Sequence, residues 1–302
     1  EGMIVAENLG KKFRNKTVIR QMNCAIKEGS IYGLVGANGA GKSTFLRMLA
    51  GVYQPSEGKA EINGEAVFDN AKIKKEIVFI PDELYFFPNY NFRMMADYYA
   101  SLYEHFDRHR FQMLCDHFKL DTEARIQNFS KGMKRQGALI LALSTRAHYF
   151  FFDETFDGLD PVMRSLVKSV LSEDVAQRNS TVLLTSHNLR ELEDLCDHMG
   201  LLVEGRIMFE SDIDSLKTEM FKVQIALPDK TFDRDEFRQL KVLYYKKSGS
   251  IATMIVKGDR ELVTDVLRSK QPIILDLLPL SLEEVFIYEM EGYGYEFDSL
   301  RL

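Results

Sequence analysis

The sequence predicts an α/β fold built on a parallel β-sheet, followed by a smaller α+β unit. Three observations carry this expectation. Four short apolar runs, residues 31–35, 77–80, 149–152 and 182–185, lack the in–out alternation of half-exposed strands, as strands buried on both faces do. The first run leads directly into Gly36-Ala37-Asn38-Gly39-Ala40-Gly41-Lys42-Ser43, a full match to G-x-x-x-x-G-K-[ST]. Beyond about residue 215 the rhythm changes to short strands broken by turns.

Residues 31–35 are predicted as a strand and 36–43 as a phosphate-binding loop. Gly36, Gly39 and Gly41 let the backbone turn tightly, so that the N–H groups of the loop, through Asn38 and Ala40, face phosphate oxygens. The helix that follows, from Ser43 and Thr44 to Ala50, adds its positive N-terminus, and Gly51 stops it. Lys42 suits the β and γ phosphates of a nucleoside triphosphate, and the Ser43 hydroxyl suits Mg²⁺.

The other three apolar runs also end in polar residues. Residues 77–80 lead into Pro81-Asp82-Glu83, 149–152 into Asp153-Glu154, and 182–185 into Ser186-His187. Ligands of open α/β sheets bind at the carboxyl ends of strands, so four separated segments point at one site. There Asp153 suits a metal ion and Glu154 an attacking water. After His187, Asn188-Leu189-Arg190-Glu191 reads as a capping box for a helix with Leu189, Leu192, Leu195 and Met199 on its apolar side.

A helical insert is expected over about residues 84–135. Met94, Met95, Tyr98, Leu102 and Phe106 recur at helical spacing, as do Phe111, Leu114 and Phe118, and most of this stripe is expected in the core. The cluster Tyr85-Phe86-Phe87-Pro88-Asn89-Tyr90 is harder to bury and suits a contact surface. Ser130 and Gly132 open a further helix with Met133, Gly137, Ile140 and Leu141 on its apolar side.

A net charge of −6 over 302 residues argues against a nucleic-acid partner. Cys24, Cys115 and Cys196 match no metal or disulfide spacing and fit a reducing compartment. The apolar stretch 137–145 stops at Arg146, far short of a membrane span, so a soluble chain is expected. No signal peptide is visible, and Glu1-Gly2 ahead of Met3 reads as an artificial leader.

In order, these motifs resemble those of the nucleotide-binding domains of ABC transporters. Asn128-Phe129-Ser130-Lys131-Gly132-Met133-Lys134 resembles the signature motif, and Asp157-Gly158-Leu159-Asp160-Pro161 resembles the D-loop after Walker B. The likeness covers roughly residues 3–214 and is nearest to bacterial drug- and peptide-export ATPases. It implies a P-loop NTPase core with antiparallel β and helical subdomains, binding ATP and Mg²⁺. It also implies a head-to-tail homodimer on the cytoplasmic face of the cell membrane, beneath a separate integral membrane subunit. In that resemblance Glu154 and His187 are catalytic, and Ser43, Asp82 and Asp153 surround the metal. Phe13 stacks on adenine, and Ser130, Gly132 and Asp160 meet the nucleotide of the second copy. Asp82 departs from the family pattern, since it stands where the Q-loop carries Gln. Thr155 stands where Pro commonly follows the Walker B Glu, and Arg135-Gln136 inverts the common order.

Residues 215–302 are expected to form the α+β accessory domain. Strands are predicted at 221–227, 242–245, 251–256 and 273–278, a helix at 260–269, and a capping box at Ser281-Leu282-Glu283-Glu284 opening a last helix. A role in dimerisation or regulation and a merely stabilising one are equally compatible with this pattern. The rival expectations for the whole chain are a soluble ABC ATPase and an ATP-gated regulatory subunit without transport. Base–aromatic stacking is worth roughly 1–3 kcal/mol. Phe13→Ala is therefore expected to weaken ATP binding about 5- to 150-fold and Phe13→Tyr to be nearly neutral. A fluorescent-nucleotide titration checks this, and unchanged affinity in the alanine variant removes Phe13 from the site.

Overall fold

The computed structural model describes residues 3–156 and 158–292. The chain divides into two compact units, Glu1–Glu210 and Ser211–Leu302.

The first unit begins with β1 (Met3–Phe13) and β2 (Lys16–Lys27), then β3 (Ile31–Val35) and α1 (Lys42–Leu49). It continues through β4 (Glu57–Ile62), β5 (Glu65–Ala66), α2 (Ala71–Lys74) and β6 (Ile77–Ile80). The insert supplies α3 (Phe92–Leu102), α4 (Arg108–Phe118) and α5 (Lys131–Ser144). Then come β7 (Tyr149–Asp153), α6 (Pro161–Arg178), β8 (Thr181–Ser186), α7 (Leu189–Glu193), β9 (His198–Val203) and β10 (Arg206–Asp212), whose last two residues belong to the second unit.

Six strands form the central sheet in the order β10-β9-β3-β8-β7-β6. β3 runs parallel to β8 and β9, and β7 parallel to β6 and β8. Every residue of β3, β7 and β8 is buried, which explains the uninterrupted apolar runs. The register sets Val35 beside Ser186 and Asp153 beside Thr185, so the polar strand ends meet at one edge of the sheet.

A second, antiparallel sheet has the order β2-β1-β4-β5. Its signal lies in the alternation of Met22, Cys24 and Ile26, buried while Asn23 and Ala25 face out. An irregular stretch near Gln21, whose φ is 44°, interrupts that alternation and hides it.

Two expectations are corrected here. Helix α7 ends at Glu193, so Leu195 follows it and Met199 lies in β9, paired with Gly33. Hydrogen bonding between β9 and β3 outweighs four apolar residues at helical spacing. In α3 the buried residues are Phe92, Met95 and Ala96, whereas Met94, Tyr98 and Leu102 are exposed. The helix turns Phe92 inward against Phe111 and Phe129, with ring centroids 5.1 and 5.9 Å apart. Gly137 of α5 admits that ring, since a Cβ there would stand 3.2 Å from it.

The second unit contains α8 (Ile213–Glu219), β11 (Met220–Ala226), β12 (Lys241–Ser248), β13 (Ile251–Lys257), α9 (Arg260–Ser269), β14 (Ile274–Pro279) and α10 (Leu282–Gly292). Its antiparallel sheet has the order β12-β13-β11-β14, over a core that includes Phe221, Val223, Phe237, Met254 and Leu267. The capping box closes reciprocally. The Ser281 N–H donates to Glu284 Oε2 at 2.9 Å, and the Glu284 N–H donates to Ser281 Oγ at 3.2 Å. Among the described residues no helix is long and apolar enough to cross a membrane.

Phe151 is fully buried in β7, two residues before Asp153. Phe151→Ala is expected to cost about 3–5 kcal/mol, because the rigid sheet around it cannot collapse into the cavity. Denaturant titration measures this; a loss near zero places Phe151 outside the packed core.

Candidate active site

The loop from Gly36 to Gly41 leaves β3 at the centre of the sheet. Two glycines are required by space. A Cβ on Gly36 would stand 2.6 Å from the Leu202 carbonyl oxygen. Gly41 has φ 113°, and its Cβ would lie 2.7 Å from Ile19. Ala37, Asn38 and Gly39 are exposed at the tip, while Ala40 and Lys42 are buried. No side chain caps the N-terminus of α1, so the N–H groups around Ser43 and Thr44 remain to meet an anion.

Lys42 is 3% exposed, and a buried ammonium needs partners. It donates to the Gly36 and Ala37 carbonyls at 2.6 and 3.2 Å and pairs with Glu154 Oε1 at 3.0 Å. The other carboxylate oxygen of Glu154 lies 3.5 Å from His187 Nδ1. Glu154 adopts φ 47°, a left-handed conformation uncommon for a side chain of this size. It is held there by two bonds from its N–H, to the Thr185 carbonyl and to Thr185 Oγ1, both at 3.1 Å.

The Thr185 hydroxyl donates to Asp153 Oδ1 at 2.8 Å. Asp153 Oδ2 is buried with no hydrogen-bond partner. Burial pushes the Asp153 carboxyl above its ordinary value. The Ser43 and Thr185 hydroxyls pull it back, the Asp82 charge adds to the rise and Arg47 opposes it. An unsatisfied buried carboxylate oxygen beside a serine hydroxyl fits a hard cation. Among the described residues no group of three or more His, Cys, Asp or Glu side chains forms a complete metal site. Ser43 and Asp153 would therefore share the ion with phosphate oxygens and water.

Asp82 is exposed at the end of β6. Its Oδ1 accepts the Glu83 N–H at 2.8 Å and lies 3.9 Å from Arg47 of α1. Lys42 faces Glu154 and Arg47 faces Asp82, which offsets part of the repulsion among the three acids. A cleft of about 460 Å³ beside Glu154 is lined by Asp82, Glu83, Leu84, Lys131, Lys134 and Arg135.

Phe13 ends β1 and is 39% exposed, with Tyr53 edge-on at 5.4 Å and the Lys11 ammonium 5.0 Å over its ring. Ser130 and Asp160 stand at the N-termini of α5 and α6. Ser130 Oγ accepts the Met133 N–H at 3.2 Å and Asp160 Oδ1 the Met163 N–H at 2.9 Å. A Cβ on Gly132 would meet Ser130 Oγ at 3.9 Å, an ordinary contact. Among the described residues, none of the three bonds to the Lys42–Glu154 group. Asp157 of the D-loop motif lies outside the described residues.

The profile of the ABC transporter family matches residues 19–157. ABC transporter ATP-binding protein YtrB of Bacillus subtilis is 29% identical over 96% of this chain and 99% of its own. Bacitracin transport ATP-binding protein BcrA of Bacillus licheniformis is 33% identical over 71% of each chain. A solved ATP-binding subunit of an ABC transporter shares the fold, with TM-score 0.66 and 24% identity over 71% of this chain and 92% of that one. The chain belongs to the ABC transporter family. It is an ATP-binding subunit, and its chemistry is that of an ABC-type ATPase.

Three residues of this ABC ATPase site escape sequence reading. Thr185 orients both Asp153 and Glu154, yet it is one more β-branched residue in an apolar run until β7 and β8 are paired. Arg47 and Tyr53, whose guanidinium and ring centre are 5.8 Å apart, gain meaning only once Asp82 and Phe13 lie beside them. If Asp82 reaches the metal shell of the ATP-bound enzyme, Asp82→Asn shifts the Mg²⁺ dependence of hydrolysis while Asp82→Gln preserves turnover. A magnesium titration of steady-state activity checks this. Curves superimposing on the parent in both variants leave Asp82 in solvent, where substitutions cost within about ±0.5 kcal/mol.

Proposed function

We propose that this ABC ATPase hydrolyses ATP as a head-to-tail homodimer and drives export of drugs or peptides through a separate membrane subunit. Residues 3–214 take the nucleotide-binding role and 215–302 an accessory one. The single observation that carries the catalytic part is Glu154, held between Lys42 at 3.0 Å and His187 at 3.5 Å at the open end of the sheet.

ATP would enter with its triphosphate on the N–H groups of residues 36–44 and its adenine on Phe13. The γ-phosphate then competes with Glu154 for Lys42. Released from the ammonium, Glu154 takes a proton from water as the water oxygen bonds to the γ-phosphorus. The bond from that phosphorus to the β–γ bridging oxygen breaks, giving ADP and inorganic phosphate. His187 orients Glu154 and the reacting phosphate. Mg²⁺, when held by Ser43 and Asp153 with Asp82 nearby, supplies positive charge to the phosphate oxygens. Ser130 and Gly132 at the start of α5, with Asp160 at the start of α6, would close on the nucleotide of the second copy. A helix N-terminus suits that γ-phosphate.

Export and a membrane partner are supported by the relatives' names, among them bacitracin transport and linearmycin resistance ATP-binding proteins. An exposed apolar strip adds support. Tyr85 is 72% exposed, and Met94, Tyr98 and Leu102 on α3 also face out. Phe87 braces the strip, with its ring 5.9 Å from Tyr85 and 4.9 Å from Tyr98. Such a strip on the insert suits docking of a membrane subunit, which would hold the enzyme at the cytoplasmic face.

Glu154→Gln keeps the shape of the side chain but cannot accept the proton. It is expected to bind ATP, to lose turnover by roughly a hundredfold or more, and to accumulate as an ATP-bound dimer. Phosphate release and gel filtration with ATP read these outcomes. Hydrolysis near the parent rate would falsify the assignment of Glu154 as the base.

A further inference from the structure

Arg110 of α4 and Asp174 of α6 are 6% and 1% exposed. Arg110 Nη1 donates to Asp174 Oδ2 at 2.7 Å and Nη2 to Oδ1 at 2.9 Å. Nη1 also donates to the Leu143 carbonyl at 3.2 Å. The start of α4 is tied down as well: the Asp107 N–H donates to the Ser144 carbonyl at 2.7 Å, and Asp107 Oδ1 accepts the Arg110 N–H at 2.9 Å.

Leu143 and Asp174 lie near the C-terminal ends of α5 and α6. The N-terminal ends of the same two helices are capped by Ser130 and Asp160. One guanidinium thus ties together the far ends of the two helices whose near ends carry the signature and D-loop residues. Its charge also suits the negative ends of both helix dipoles.

Stability alone does not call for this arrangement. Buried ion pairs cost much of their attraction in lost hydration, and well-packed apolar replacements are often as stable or more so. A fork of directed N–H···O bonds supplies what apolar packing lacks, a fixed slide and rotation of α5 against α6. We infer that Arg110 is a positioning residue for the dimer face, holding the Ser130–Gly132 and Asp160 ends in the register a second copy requires. This rests on the dimer reading above.

The test uses the full chain with Glu154→Gln, so that ATP-bound dimers accumulate, and compares it with the same protein carrying Arg110→Met and Asp174→Leu. The paired replacement should unfold near the parent temperature and bind ATP as a monomer within about twofold of the parent, because no nucleotide ligand is touched. Its dimer dissociation constant in ATP should rise about tenfold or more, as small misplacements of docking groups do. With Glu154 restored, kcat should fall while KM for ATP stays put. Arg110→Lys keeps the charge without the fork, and its dimerisation should fall between the two. It carries the test if the paired variant does not fold. Dimerisation equal to the parent in the variant that folds overturns the inference. Failure of the parent itself to dimerise with ATP overturns the dimer reading, and the inference with it.

Discussion

The site is organised around a buried ammonium group. Lys42 at 3% exposure has little water to solvate it, and an uncompensated buried charge costs several kcal/mol. Two loop carbonyls and the Glu154 carboxylate meet that cost. The phosphate loop thus holds Lys42 with its own carbonyls, and Glu154, the proposed base, pairs with the same cation. In the proposed mechanism binding and chemistry share one exchange of partners: a triphosphate brings more negative charge to Lys42 than Glu154 does, and the displaced carboxylate would then act as a base.

This exchange works only if the acids stand where the loop can reach them, and that is the task of the parallel sheet. β7 places Asp153 beside Thr185 of β8, and the chain then bends at Glu154 into a left-handed conformation that its two hydrogen bonds to Thr185 sustain. Four successive aromatic residues before Asp153 are all buried, so the strand cannot slide to relax that bend. Packing thus supports local strain where the chemistry is proposed to take place.

The insert meets a different demand. It buries one side of its helices against the core through Phe92, Met95, Phe111 and Leu114, yet leaves Tyr85 in the preceding loop and Met94, Tyr98 and Leu102 of α3 in solvent. Exposed apolar area of this kind weakens solubility and is tolerated where another molecule covers it. Arg110 and Asp174 make the complementary choice, placing charge inside where apolar residues would do. The exposed strip lies on the insert, the part proposed to meet other chains, and the buried pair joins the insert to α6.

The sequence by itself determined the phosphate loop, the four buried strands with polar ends, and the family. These rest on local requirements: glycines where a Cβ would collide, a lysine and serine at set spacing, and apolar runs that only a two-sided burial explains. It also determined the small capped elements of the tail, such as the Ser281–Glu284 box, because both partners lie within one helical turn. Tertiary structure decided the rest. Nothing local says that Met199 pairs with Gly33 in a strand instead of continuing a helix, since the competing hydrogen bonds belong to a segment over 160 residues earlier. Which side of α3 turns inward depends on Phe111, Phe129 and Gly137, all distant in sequence. The roles of Thr185, Arg47, Arg110 and Asp174 were invisible for the same reason. Hydrogen bonds and ion pairs act over a few ångströms, and only the folded chain brings those groups that close.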